Sequence, residues 1–301
     1  MNYNEFSQTL QAQLLPLFPE GTRISIQTVP KNNGIAKEAL IIREPYTNLS
    51  PIIYPEDYYG LCADGMSIDE ICCIVYDVFM EARLNHPVDA SRFTDFEKAK
   101  KRLIFQIVNY DKNTQLLADI PHIRFLDLAV IFCCLIPMEN GRDSTALIHW
   151  EHLRLWDATF ETVKKQAFDN TPRLLPAYIQ PVADAIHDLV ALNPSLNRLL
   201  PDSFGQMSSS LYVLTNETQV CGAACMLYPS LLQEFSERLG ADLYVLPSSI
   251  HEVLLLPTKE RDSDERLSAL VHAVNHEQLP PSQLLSDSIY FYSREKAALL
   301  L

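Results

Sequence analysis

The chain has 301 residues, 48% of them hydrophobic and 21% charged, and a formal net charge of −14. This is the composition of a globular protein with enough apolar surface for a real core, and the length suits two domains or one large one. An excess of 38 acidic over 24 basic residues disfavours binding to phosphate backbones, and the 8 glycines are too sparse to form a G-x-G-x-x-G fingerprint.

The nearest approach to a phosphate loop runs from Gly60 to Ser67, but Met66 stands where a phosphate-binding Lys is required. The opening residues contain no basic segment followed by an apolar one. The longest apolar run, 128–138, is shorter than the roughly 18 residues a membrane span needs, so a cytoplasmic location is expected. Seven cysteines, including the neighbours Cys72-Cys73 and Cys133-Cys134 in apolar stretches, fit reduced, buried thiols better than a disulfide framework.

In chain order, residues 4–18 place Phe6, Leu10, Leu14 and Leu17 at helical spacing, with Pro16 and Pro19 ending the helix. Residues 23–29 alternate strictly, 31–34 form a turn and 40–43 resume strand character, which predicts a hairpin joined by a third strand at 52–54. The tyrosine-rich stretch 54–59 reads as an irregular link, in which Tyr58 and Tyr59 are candidate ligand contacts or simple packing. Ser67 to Glu70 is a capping box, and it opens a helix with Ile68, Ile71, Cys72, Val75, Val78, Phe79 and Ala82 on one face. A second box, Thr94 to Glu97, precedes the apolar segment 103–108. Residues 125–136 are apolar in both alternating sets, as in a strand buried on both faces, and 145–149 return antiparallel after a turn at 139–143.

Residues 157–193 read as helices interrupted by Pro172, Pro176 and Pro181, and 193–210, rich in Pro, Ser and Asn, as a linker. Beyond it come strands 211–214 and 220–227, a helix at 230–239, strand 243–246, loop 247–252, strand 253–256, a helix at 263–275 and strand 288–292. The pattern predicts an α+β protein with mixed or antiparallel sheets and flanking helices. Its expected organisation is an N-terminal domain at 1–192, a linker at 193–210 and a ββαββαβ domain at 211–301.

Ser248, Ser249, His251 and Glu252 form a polar island between two apolar strands. Ser249, His251 and Glu252 carry the parts of a nucleophile, base and orienter, although a loop whose Ser and Glu satisfy its own backbone explains them equally. Ser248 and Cys221 are candidate ligand contacts, and a Cys221 lying near His251 would suggest a thiol nucleophile. Cys221 and Cys225 flank Gly222, Ala223 and Ala224, small enough for close approach by a strand or ligand. The pairs His149/His152 and His272/His276 are each two ligands, short of a metal set, so neither metal nor cofactor is expected.

Several phrases, among them Lys31-Asn-Asn-Gly34, Ile42-Arg-Glu-Pro45, Thr171-Pro-Arg-Leu-Leu-Pro176 and Leu246-Pro-Ser-Ser-Ile-His-Glu252, together resemble a family of uncharacterised proteins. This is a domain of unknown function from gut clostridia and their relatives, and the resemblance covers nearly the whole chain. It implies a bacterial cytoplasmic origin and brings no activity with it. The expected function is non-enzymatic binding of another protein or a small ligand at the 248–252 loop, with no membrane or direct nucleic-acid binding. The alternatives are a hydrolase or transferase using that loop, or an acidic mimic of nucleic acid.

Overall fold

In the computed structural model, which describes residues 1–45, 47, 50–83, 91–136, 144–184, 211–247, 249–258, 275 and 279–301, helices and antiparallel strands are combined in an α+β fold. Contacts divide the chain into two units, Met1–Phe93 with Ile136–Ser144 and Thr94–Leu135 with Thr145–Leu301.

In the first unit, α1 (Tyr3–Leu14) begins at a reciprocal cap. The Glu5 amide donates to Asn2 Oδ1 at 2.9 Å and the Asn2 amide donates to Glu5 Oε2 at 3.1 Å, satisfying two of the helix's orphan donors. Strands β1 (Arg23–Pro30) and β2 (Ala36–Arg43) form the expected hairpin, with Asn33 and Gly34 in the left-handed conformation at its turn. β3 (Ile52–Ile53) pairs with β2. Helix α2 (Glu56–Ala63) stands where an irregular link is expected from the sequence. Pro55, with its fixed φ, and the acidic Glu56 and Asp57 in the first turn favour a helix start, which two turns of weak amphipathicity conceal. Helix α3 (Ile68–Ala82) buries Ile71, Cys72, Val75 and Phe79 against Phe6, Leu10, Leu14, Leu40 and Ile42. Val78, at the edge of that stripe, is exposed.

The one-turn helices α4 (Ser91–Thr94) and α5 (Phe96–Ala99) follow. Thr94 already belongs to α4, and Asp95 is the cap of α5, accepting the Glu97 amide at 2.9 Å. In the second unit a four-stranded sheet contains β4 (Leu103–Asn109), then, after α6 (Thr114–Asp119), β5 (His122–Phe125), β6 (Leu128–Ile136) and β7 (Ser144–Leu147). β6 pairs with all three of the others and is buried from Leu128 to Leu135. The apolar run predicted as one strand from residue 125 is therefore a hairpin, turned at Leu126 with φ 55 so that Phe125 faces Leu128. Helices α7 (Trp150–Leu155) and α8 (Phe160–Leu174) follow, and α8 covers the free edge of β4. There, Thr171 Oγ1 accepts the Phe105 amide at 3.0 Å, and Asn170 Nδ2 donates to the carbonyls of Lys100 and Leu103.

Pro172 lies inside α8, whereas Pro176 and Pro181 do not interrupt a helix: they bracket strand β8 (Ala177–Pro181). β8 is the edge of a six-stranded antiparallel sheet, a position that tolerates a proline lacking its N–H. The order is β13-β12-β10-β11-β9-β8, with β9 (Tyr212–Asn216), β10 (Asp242–Leu246), β11 (Val253–Thr258), β12 (Tyr290–Ser293) and β13 (Ala298–Leu300). β13, not expected from the sequence, pairs with β12.

Residues 222–227, expected as a strand, form a 3-10 helix, Gly222–Leu227, before α9 (Leu231–Leu239). Gln219 and Cys221 have φ of 56 and 52, and Gly222, Ala223 and Ala224 have little β-propensity, so the chain coils instead of extending. The expected turn at 139–143, the linker 193–210, Ser248 and nearly all of the helix at 263–275 lie outside the described residues. Among the described residues, no helix is long and apolar enough to cross a membrane.

Candidate functional site

The end of β9 starts the site. Asn216, almost fully buried, organises the turn after it: its Oδ1 accepts from the Thr218 amide and hydroxyl and the Val220 amide, and its Nδ2 donates to the Val220 carbonyl at 2.8 Å. This Asx-type bonding leads the chain through the left-handed residues Gln219 and Cys221 into the 3-10 helix.

The loop between β10 and β11 lies against that turn. The Cys221 amide donates to His251 Nδ1 at 3.2 Å, the Thr215 hydroxyl donates to the His251 carbonyl at 2.8 Å, and the Ala223 amide donates to the Ile250 carbonyl at 3.3 Å. Gly222 makes the approach possible, since a β-carbon there would stand 2.6 Å from the His251 carbonyl oxygen and 2.7 Å from the Asn216 nitrogen. A third segment closes the loop from behind: Ser249 bridges to Leu284, the Ile250 amide donates to the Gln283 carbonyl at 2.9 Å, and the Ser286 amide donates to the Pro247 carbonyl at 3.0 Å.

Each described candidate residue of the second unit thereby has a defined setting. The Ser249 hydroxyl is buried and accepts the His251 amide at 2.9 Å. His251 is half-buried, and desolvation lowers its pKa from the ordinary imidazole value of 6.5. A backbone amide can only donate, so the Nδ1 facing it carries the lone pair and the ring proton of the neutral form sits on Nε2. Burial pushes the Cys221 thiol up to about 11 and the Cys225 thiol to about 12, which keeps both protonated at neutral pH. Glu252 is exposed, yet desolvation by the surrounding chain raises its carboxyl pKa.

Cys221, Ser249, His251 and Glu252 thus lie together in the second unit. Tyr58 and Tyr59 belong to the first unit, where both pack against its core. Tyr59 donates to the Met1 carbonyl at 3.1 Å and meets Tyr3 edge-on, with ring centres 5.5 Å apart. Thr215, Asn216 and Gly222 complete the second-unit site. Of these, only Gly222 carries a signal in the sequence, as a small residue beside Cys221; Thr215 and Asn216 fall just after the strand expected at 211–214 and carry no site signal.

His149 and His152 lie with ring centres 5.7 Å apart, and His152 Nδ1 accepts the His149 amide at 2.8 Å. Among the described residues, no group of three or more His, Cys, Asp or Glu side chains is placed to hold a metal ion. His272 and His276 lie outside the described residues.

No curated protein and no solved structure matches the chain. A family's sequence pattern does match it, across residues 3–294. The chain belongs to the family of unknown function DUF5688.

Proposed function

We propose that the protein binds another protein or a small ligand through the 248–252 loop of its six-stranded sheet, and performs no chemistry on what it binds. The observation that carries this reading is the occupied Nδ1 of His251. A general base needs a lone pair facing the proton it removes. Here the lone pair accepts the Cys221 amide, and the other ring nitrogen already holds its proton. The Ser249 hydroxyl is turned to the His251 amide, and the Cys221 thiol is protonated.

What the loop offers instead is an exposed carboxylate on Glu252 and an imidazole Nε2–H donor, on backbone braced from two sides. A braced loop loses little conformational freedom on binding, which favours recognition. The rival reading, a hydrolase or transferase using Ser249, His251 and Glu252, draws on the closeness of Cys221 to His251. The net charge of −14 weighs against nucleic acid as the direct ligand.

Two experiments test the reading. Incubation of the pure protein with ester, peptide and phosphoester substrates and with serine- and thiol-directed probes is expected to give no turnover and no labelling of Ser249 or Cys221 at neutral pH. Turnover abolished by Ser249→Ala or His251→Ala in a folded chain overturns it. Native mass spectrometry of protein isolated from its own cells is expected to find a stoichiometric ligand or protein that Glu252→Lys releases; a bare chain contradicts the proposal.

A further inference from the structure

The turn at 219–222 has an unfavourable shape, and different bonds hold its two halves. Gln219 and Cys221 occupy left-handed backbone, which costs an L residue free energy unless neighbouring contacts fix it. Asn216 fixes the first half of the turn through Thr218 and Val220. The Cys221 amide is held by the imidazole of His251.

We propose that this contact is an acid-labile clasp: protonation of His251 Nδ1 replaces its acceptor lone pair with an N–H, expels the Cys221 amide, and frees the Cys221 backbone and thiol, while Asn216 keeps Gln219 and Val220 in place. The remaining contacts do not titrate in this range. The Thr215 hydroxyl to the His251 carbonyl, the His251 amide to Ser249 Oγ and the Ala223 amide to the Ile250 carbonyl all persist, so the release stays local and the loop keeps its place.

The surroundings place the transition in mild acid. Among the described residues, His251 is bonded by Thr215 from β9, Cys221 from the turn and Ser249 from its own loop, and the neighbouring Ile250 by Ala223 and Gln283, none of them charged at neutral pH. Glu252 is the ionisable neighbour on its own loop. With desolvation as the cause of its shift, the imidazole protonates below its ordinary value of 6.5. The clasp changes the Cys221 turn beside the surface assigned above to binding, and rests on that reading for its use but not for its chemistry.

The test is thiol accessibility. A dipyridyl disulfide reacts with thiols in acid as well as at neutral pH. Labelling of Cys221, quantified by peptide mass spectrometry, is divided by the rate for the denatured chain at the same pH. The normalised rate is expected to rise about tenfold between about pH 7.5 and pH 5, the size of a one-unit linkage. His251→Asn, whose amide oxygen replaces Nδ1 as a non-titrating acceptor, is expected to stay low at both, and His251→Ala to be high at both.

An unchanged wild-type rate, or an equal rise in a folded His251→Asn chain, overturns the proposal. Should the variants not fold, exchange of the Cys221 amide in the unaltered chain decides: it must lose protection in the same window, and retained protection overturns the clasp. The clasp is a contact within the chain, so a missing ligand leaves it standing, and a missing pH response leaves the binding reading standing.

Discussion

A β-carbon at Gly222 would collide with the Thr215 hydroxyl as well as the His251 carbonyl and the Asn216 nitrogen, so this position admits only glycine even though its φ is not positive. Gly222→Ala is expected to destabilise the protein by about 1–3 kcal/mol, the usual cost of overpacking, and to part the loop from the turn. A lowered urea midpoint with an unchanged slope is the expected result. His152 offers a second residue-level prediction. It accepts the His149 amide at the start of α7, and burial, then the His149 charge, lower its pKa from 6.5. The unfolded chain therefore binds the proton first. The contribution is fully present above about pH 6.5 and is lost as pH falls through the lowered folded value. Trp156 has its ring centre 5.8 Å from His152, and Trp150 follows His149 in sequence. Their fluorescence should change in this window in the wild type and stay flat in His152→Ala.

Elements differ in how plainly their residues declare them. The hairpin of β1 and β2 and helix α3 are legible because a strict alternation and a capping box each have one structural solution. Helix α2 is obscured by its short length, and the hairpin of β5 and β6 by Leu126, an apolar residue holding a left-handed turn that glycine or asparagine usually marks. The prolines of β8 suggest interruption, since the sequence does not say that this strand lies at a sheet edge. In the candidate site the polar island at 248–252 is visible, but Thr215 and Cys221, which bond to His251, lie 36 and 30 residues earlier, and no local pattern records that pairing. The contact of α8 with β4 gives a test at this scale. Thr171 Oγ1 both accepts the Phe105 amide and donates to the Ala167 carbonyl, at full burial. Thr171→Val keeps the shape but strands a buried N–H, with an expected loss of about 1–3 kcal/mol in chemical denaturation.

Across the second unit, one carboxylate joins its two sheets. Asp127, in the turn between β5 and β6, accepts hydroxyl hydrogen bonds from Ser286, Ser288 and Tyr290, the last of these on β12. Burial and the Asp127 charge push the Tyr290 pKa up, so its hydroxyl remains a donor. Tyr290→Phe is expected to lower stability by about 1.5–3 kcal/mol, as for a hydrogen bond to a charged group, with both sheets melting in a single transition. Separate transitions for the two sheets in the unaltered protein would contradict this coupling. The same unit carries the braced loop, where a single imidazole, that of His251, separates binding from catalysis.

The most direct test is a long-range proton–nitrogen NMR spectrum of the His251 ring at neutral pH. The expected spectrum shows a neutral ring with a bare Nδ1 and a protonated Nε2, and a Cys221 amide resonance that shifts in His251→Ala. A proton on Nδ1, or a charged imidazolium at neutral pH, would contradict it and return His251 to the list of candidate catalytic groups.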